Sequence, residues 1–219
     1  MLKALLFDMD GLIFDSEKVV QRSWNMAGDT LGYGKIGDHI YNTLGMNAKS
    51  RGEYFKGVFG EEFPYDKFRD LARENFYAIV GEEGLAIKSG ASELIHYAKQ
   101  LGYRMAVVTS SRRPYVEEMF KKAGLYEYFD VFVCGDMVTK SKPNPEIYEK
   151  ACRLLEVRPE YCVAFEDAPA GVESATAAGI DVIMVPDLVQ PDRETRRKAW
   201  RVITTLDEAI DILRREARE

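Results

Sequence analysis

The stretch LKALLFDMDGLIFDSE, residues 2–17, decides the reading of this chain. Leu2, Ala4, Leu5, Leu6 and Phe7 form a short apolar run that ends abruptly in charge, the pattern of a strand buried on both faces of a parallel sheet. Asp8, Asp10 and Gly11 follow at once. Ligands of open α/β sheets bind in the crevice beyond the carboxyl ends of the strands, so this strand brings two acids and a glycine to a place where chemistry is done. A D-x-D pair alone occurs by chance. Its meaning depends on whether the rest of the chain supplies partners.

Past this strand the pattern becomes helical. Asp15 or Ser16 has the chemistry of a helix N-cap, and Val20, Trp24, Ala27 and Leu31 recur at helical spacing. A glycine-rich break (Gly32, Gly34, Gly37) precedes a shorter helix expected from Asp38 to Gly45. Asn47 is placed to cap the next helix, whose apolar face reads Tyr54, Phe55, Val58 and Phe59. After Pro64, Phe68, Ala72, Phe76 and Ile79 mark a fourth helix. Residues 16–83 therefore read as an all-helical block with an aromatic core.

From about Gly84 helices and strands alternate. Strands are expected at Arg104–Thr109, 131–134, 162–165, 182–185 and near Val202–Ile203. Lys142-Pro143-Asn144-Pro145-Glu146 opens a helix with Asn144 as cap and Pro145 at its first position, and Thr205 with Glu208 has capping-box spacing. Such alternation predicts an α/β fold, a Rossmann-like doubly wound parallel sheet covered by helices on both faces. Residues 1–15 and 84–219 would form that core, with 16–83 an inserted helical cap over the end of the first strand.

Composition narrows the function classes. At 219 residues, 46% apolar and 30% charged, the chain is an ordinary globular protein with room for one domain and an insertion. With 30 basic against 36 acidic residues and a net charge of −6, a nucleic-acid partner is not expected. The sequence opens on a strand without an apolar leader or a run of membrane-spanning length, so a cytoplasmic protein without membrane association is expected. Three cysteines without C-x-x-C fit buried thiols in a reduced compartment. His39 and His96 are isolated, so a histidine metal cluster or triad is not expected.

Each long strand delivers polar groups at its carboxyl end. The first gives Asp8 and Asp10; the second gives Thr109, Ser110 and Ser111, then Arg112 and Arg113; the third gives Gly135-Asp136, with Lys142 shortly after; the fourth gives Glu166 and Asp167. Carboxylates without histidine or thiolate favour a hard cation, Mg²⁺. A hydroxyl at a helix start plus a lysine suits a phosphate. A cation shared by phosphate and Asp8 would offset the repulsion between a carboxylate nucleophile and a phosphate dianion. Phosphoryl transfer needs mainly positioning and charge neutralisation.

DMDG at 8–11, VVTSS at 107–111, Lys142 in SKPNPEIY and FEDAPAGVESATAAG at 165–179 together resemble the four motifs of the haloacid dehalogenase superfamily, in the branch with a helical cap after the first strand. The resemblance implies a nucleophile at Asp8 that forms a phosphoaspartyl intermediate, and a general acid and base at Asp10. It implies that Thr109 and Lys142 hold the transferring phosphoryl group. Arg112 and Arg113 at a helix start oppose the macrodipole unless an anion is near, which makes one of them a phosphate-contact candidate; Ser110 is either a helix cap or a phosphate contact, and Gly11, Ser111 and Asn47 are further candidate phosphate or substrate contacts. The resemblance implies Mg²⁺ bound by Asp8, the carbonyl of Asp10, Asp167 and Glu166, the last directly or through water. The partner would be a small phosphorylated metabolite, a sugar phosphate or nucleotide-like, and the protein a monomer.

Three activities compete: a Mg²⁺-dependent phosphatase, a sugar phosphomutase similar to β-phosphoglucomutase, and a non-catalytic binding relative. Where the mutase branch carries a cap histidine and an arginine, this chain has Val20 and Ala48, which favours the phosphatase. Every catalytic position of the family is filled, which disfavours the non-catalytic reading. Specificity is expected from cap residues such as Gln21, Trp24, Asn47 and Lys49.

Overall fold

The computed structural model describes residues 2–43 and 48–216. Among these, six strands form one wholly parallel sheet in the order β3-β2-β1-β4-β5-β6. They are β1 (Ala4–Phe7), β2 (Arg104–Val108), β3 (Val131–Val133), β4 (Cys162–Glu166), β5 (Asp181–Met184) and β6 (Arg201–Val202). The helices are α1 (Glu17–Thr30), α2 (Ala48–Phe59), α3 (Tyr65–Glu83), α4 (Ala91–Gln100), α5 (Arg113–Lys122), α6 (Glu146–Leu155), α7 (Pro169–Ala177), α8 (Arg193–Lys198) and α9 (Asp207–Glu216). This is the doubly wound α/β sheet with an inserted helical segment that the alternation predicts.

Both faces of the sheet are covered, which is why β1 has no polar alternation. On one face Ala4, Leu6, Ala106, Val108, Ala164 and Met184 pack against Ile147, Tyr148, Ala151 and Leu155 of α6 and Val172 and Ala175 of α7. On the other, Phe7 stacks on Phe165 with ring centroids 4.9 Å apart, and Phe129 bridges Phe7 to Phe120 of α5. All four β1 side chains are fully buried, each worth about 1.5–3 kcal/mol for the larger ones. Chain order reverses at β1, since β2 and β3 lie to one side of it and β4 to β6 to the other. The crevice of such a sheet opens at that switch point.

The chain divides into two compact units, Met1–Phe14 with Ala86–Glu219, and Asp15–Leu85. In the helical unit Phe55 is fully buried among Trp24, Phe63 and Phe68, with ring centroids 5.0–5.5 Å away.

Several local expectations shift. The expected helix from Asp38 is a single 3₁₀ turn, Gly37–Ile40, tied to α1 through Gln21 to Asp38 (2.7 Å) and the Gly37 N–H to Asn25 (2.7 Å). On α1 the buried face is Val19, Ser23, Trp24 and Ala27, with Val20 only half-buried, and Val58 on α2 is exposed. Ser16 takes the N-cap position of α1 without a side-chain capping bond. Pro145, not Asn144, is the N-cap of α6; Asn144 Oδ1 accepts from the Glu146 N–H at 3.1 Å instead. Asn47 lies outside the described residues.

Candidate active site

Sheet register builds the site. Phe7 of β1 is paired with Val107 of β2 and Phe165 of β4. The next row across the three central strands is therefore Asp8, Val108 and Glu166, and the Asp8 N–H donates to the Phe165 carbonyl at 3.0 Å. Two acids far apart in sequence are side by side because the hydrogen-bond ladder has one register. Asp8 is nearly buried and Glu166 fully so. Bare carboxylates do not tolerate such burial unless paired.

Lys142 supplies the pairing. Its Nζ donates to Asp8 Oδ1 at 2.7 Å, Glu166 Oε1 at 2.7 Å and the Val108 carbonyl at 2.9 Å. Three acceptors saturate the three ammonium protons. Burial alone would lower the lysine's pKa, but the attraction of Asp8 and Glu166 outweighs it and raises the pKa above the usual range. Tyr148, fully buried on α6, also donates its hydroxyl to Glu166 Oε1.

Asp167 completes the group. Oxygen atoms of Asp8, Glu166 and Asp167 lie within 4.8 Å of one another. Burial pushes Glu166 up to about 7, with Lys142 opposing and Asp8 adding to the rise. Burial and the neighbouring Asp8 and Glu166 charges push Asp167 well above the usual carboxylate range. Three acids facing one ammonium leave a surplus of negative charge that a divalent cation would neutralise. The donor set is oxygen throughout, the preference of Mg²⁺. The cluster Asp8, Glu166 and Asp167 thus matches a candidate Mg²⁺ site by its donor chemistry.

Two glycines make room for these acids. Gly11 has φ +81°, and a Cβ there would lie 2.4 Å from Asp167 Oδ2. A Cβ on Gly171, in the first turn of α7, would lie 1.8 Å from Glu166 Oε2. Gly11 is therefore placed as a spacer beside Asp167.

The remaining groups divide. Ser111 Oγ donates to Asp10 Oδ2 at 2.7 Å, and the Tyr115 hydroxyl lies 3.5 Å from Asp10 Oδ1. Thr109 is buried, and its Oγ1 accepts from the Ser111 N–H at 3.1 Å, so the turn after β2 is held by its own hydroxyl. Ser110 and Arg112 are exposed, with no bond to the acid cluster among those of the described residues. Arg113 turns to Glu117 on its own helix at 2.7 Å. Asp136 accepts from the Arg113 backbone N–H at 3.3 Å, supporting the start of α5.

Tyr115 and Asp187 lie outside the four motifs, whereas Tyr148 and Gly171 fall within two of them without a role of their own. Tyr148 falls on the apolar face of α6 and reads as core. Asp187 follows the fifth strand, where the same strand-end rule applies.

The model of the haloacid dehalogenase-like hydrolases matches residues 5–185. The chain is 34% identical over 198 residues to protein CbbY of Cereibacter sphaeroides, covering 85% of each. It is 33% identical over 184 residues to hexitol phosphatase A of Escherichia coli strain K12, covering 84% of this chain and 82% of that one. A crystal structure of a CbbY variant from Rhodobacter sphaeroides in complex with xylulose-(1,5)bisphosphate superposes with a TM-score of 0.77 at 31% identity, covering 95% of this chain and 96% of that one. Among the described residues no helix is long and apolar enough to cross a membrane. Matched by the family model over most of its length and a third identical to relatives over most of theirs, this chain belongs to the haloacid dehalogenase-like hydrolases and is an enzyme of that family.

Proposed function

We propose that the protein is a Mg²⁺-dependent phosphatase of a small phosphorylated carbohydrate, working through a phosphoaspartyl intermediate on Asp8. The observation that carries this reading is the Lys142 ammonium bonded at 2.7 Å to both Asp8 and Glu166, with Asp167 beside them and Asp10 oriented separately by Ser111. One acid is held inside a charge-neutralising group, and the other stands outside it, ready to move a proton.

In the first step an Asp8 oxygen forms a bond to phosphorus as the bond from phosphorus to the leaving oxygen breaks, and Asp10 gives that oxygen a proton. In the second, Asp10 takes a proton from water as the water oxygen bonds to phosphorus and the aspartyl–phosphorus bond breaks, releasing inorganic phosphate. Ser111 keeps Asp10 in one orientation through both steps. Lys142 neutralises Asp8 while that residue is a free carboxylate and offers its charge to the phosphoryl oxygens when Asp8 is esterified. Asp8, Asp167 and Glu166, with the Asp10 carbonyl, would hold a Mg²⁺, which when bound would neutralise charge on the phosphoryl group. The carbohydrate class is supported by two relatives, the hexitol phosphatase and the CbbY variant that binds a pentulose bisphosphate.

The test is release of inorganic phosphate from a generic aryl phosphate and from a panel of sugar phosphates. Release that chelator abolishes and Mg²⁺ restores is expected. An isomerised sugar phosphate that forms only with a bisphosphate primer would replace this reading with a phosphomutase.

A further inference from the structure

Asp187 follows β5 and stands beside Asp167, with a carboxylate oxygen of each within 4.8 Å of the other. Its Oδ1 is fixed by Lys88 Nζ at 2.5 Å. Lys88 is itself held in place, because its backbone N–H donates to the Ile13 carbonyl at 2.8 Å, just past the Asp8–Gly11 turn. The other oxygen, Oδ2, is buried and has no hydrogen-bond partner. A buried carboxylate oxygen without a donor is costly, and native structures leave such an atom only where water or an ion satisfies it.

The orphan oxygen belongs to an acid beside a candidate ligand of the cation. Oxygen atoms of Asp187 and Asp167 come within 4.8 Å of each other. Both Oδ2 atoms converge on the Gly11 α-carbon, where a Cβ would lie 2.4 Å from that of Asp167 and 3.4 Å from that of Asp187. Two acid side chains turned towards one point repel unless something positive or proton-donating lies between them.

Mg²⁺ sheds water reluctantly and keeps several waters at about 2.1 Å when one or two carboxylates bind it. A water on a cation held by Asp167 carries polarised hydrogens and lies within reach of an acceptor a few ångströms from that ligand. We propose that Asp187, braced by Lys88, is a positioning residue for the cation: its Oδ2 accepts a hydrogen bond from a water of the Mg²⁺ shell, orienting the ion against Asp167. Lys88 makes this possible by occupying Oδ1 and leaving a single oxygen aimed inward. The inference rests on the Mg²⁺ reading of Asp8, Glu166 and Asp167.

The test is Mg²⁺ affinity of the full chain by titration calorimetry, without substrate. Asp187→Asn keeps the shape and removes the charge that holds the water. Outer-shell partners of this kind are worth ten- to a hundredfold in metal affinity, and a loss of that size is expected. Asp181→Asn removes the same charge from the exposed start of β5 and is expected to change affinity by less than about twofold, since an exposed charge is screened. Melting in chelator reports the fold independently, and Asp187→Asn is expected to unfold within a few degrees of the wild type. Wild-type affinity in Asp187→Asn alongside lost binding in Asp167→Asn overturns the role of Asp187 alone. A chelated Asp187→Asn protein that unfolds far below the wild type assigns Asp187 to the fold and also overturns it. A wild-type chain that binds no Mg²⁺, or an Asp167→Asn chain that binds it as well as the wild type, overturns the cation reading on which it rests.

Discussion

The acid cluster at the ends of β1 and β4 and the aromatic cluster of the helical unit are held by different physics. In the first, a parallel ladder fixes Asp8 beside Glu166, and Lys142 balances two buried charges with bonds of 2.7 Å. In the second, Phe55, Phe63, Phe68 and Trp24 meet as edge-on, tilted and stacked rings, with the Arg51 guanidinium 5.7 Å from the Trp24 ring centroid. Ladder and ion pair are directional, so few residues suffice and each is decisive. Ring packing is non-directional and collective, so its cost is spread over volume.

The largest expected difference is in stability of the helical unit. Phe55→Ala removes a fully buried ring and should cost about 3–5 kcal/mol. Hydrogen exchange should accelerate across 15–85 while the amides of β1 and β4 keep their protection. Equal acceleration in both units would mean that the two clusters are not energetically separate.

The acid cluster should respond to pH instead. Burial lifts Glu166 to about 7 from its usual 4.5, so the folded chain binds that proton more tightly than the unfolded chain. The resulting stabilisation is complete below about pH 4.5 and is lost as pH rises through about 7. In chelator the wild type should therefore lose up to about 3 kcal/mol relative to Glu166→Gln across that window. Parallel stability curves for the two proteins would contradict this, as would a wild type that gains on Glu166→Gln with rising pH.

A smaller effect sharpens the geometric side. Gly11→Ala places a Cβ 2.4 Å from Asp167 Oδ2 at φ +81° and should cost about 1–2 kcal/mol in strain. The displaced acid should also weaken Mg²⁺ binding, measured by calorimetry beside the melting temperature. Unchanged affinity would show that Asp167 keeps its place by other contacts.

The same contrast explains how much was legible beforehand. Register in a parallel sheet is exact to the residue, so reading each strand to its carboxyl end brought Asp8, Glu166 and Asp167 together correctly. Lys142 followed from its motif. A helix face can rotate by a residue without changing its pattern, which is why Val19 rather than Val20 is buried and why Val58 is exposed. Tyr148 escaped because a tyrosine on an apolar helix face reads as core, and only the three-dimensional contact reveals where its hydroxyl goes. Asp187 obeys the same strand-end rule, following β5 as the other acids follow their strands. Arg112 and Ser110 follow β2 at a helix start, a position that favours an anion contact, and the turn leaves both exposed.

A covalent step on Asp8, separate from proton transfer by Asp10, is tested most directly in the Asp10→Asn variant. Asp10→Asn removes the group that activates water but leaves Asp8 bonded to Lys142. Treated with an aryl phosphate, whose leaving group needs no proton, and quenched in acid, this variant should carry one hydroxylamine-labile phosphoryl group on the peptide containing Asp8, located by mass spectrometry. A phosphoryl group on any other residue, or an unmodified Asp8 peptide in a variant that still turns over the aryl phosphate, would contradict the account.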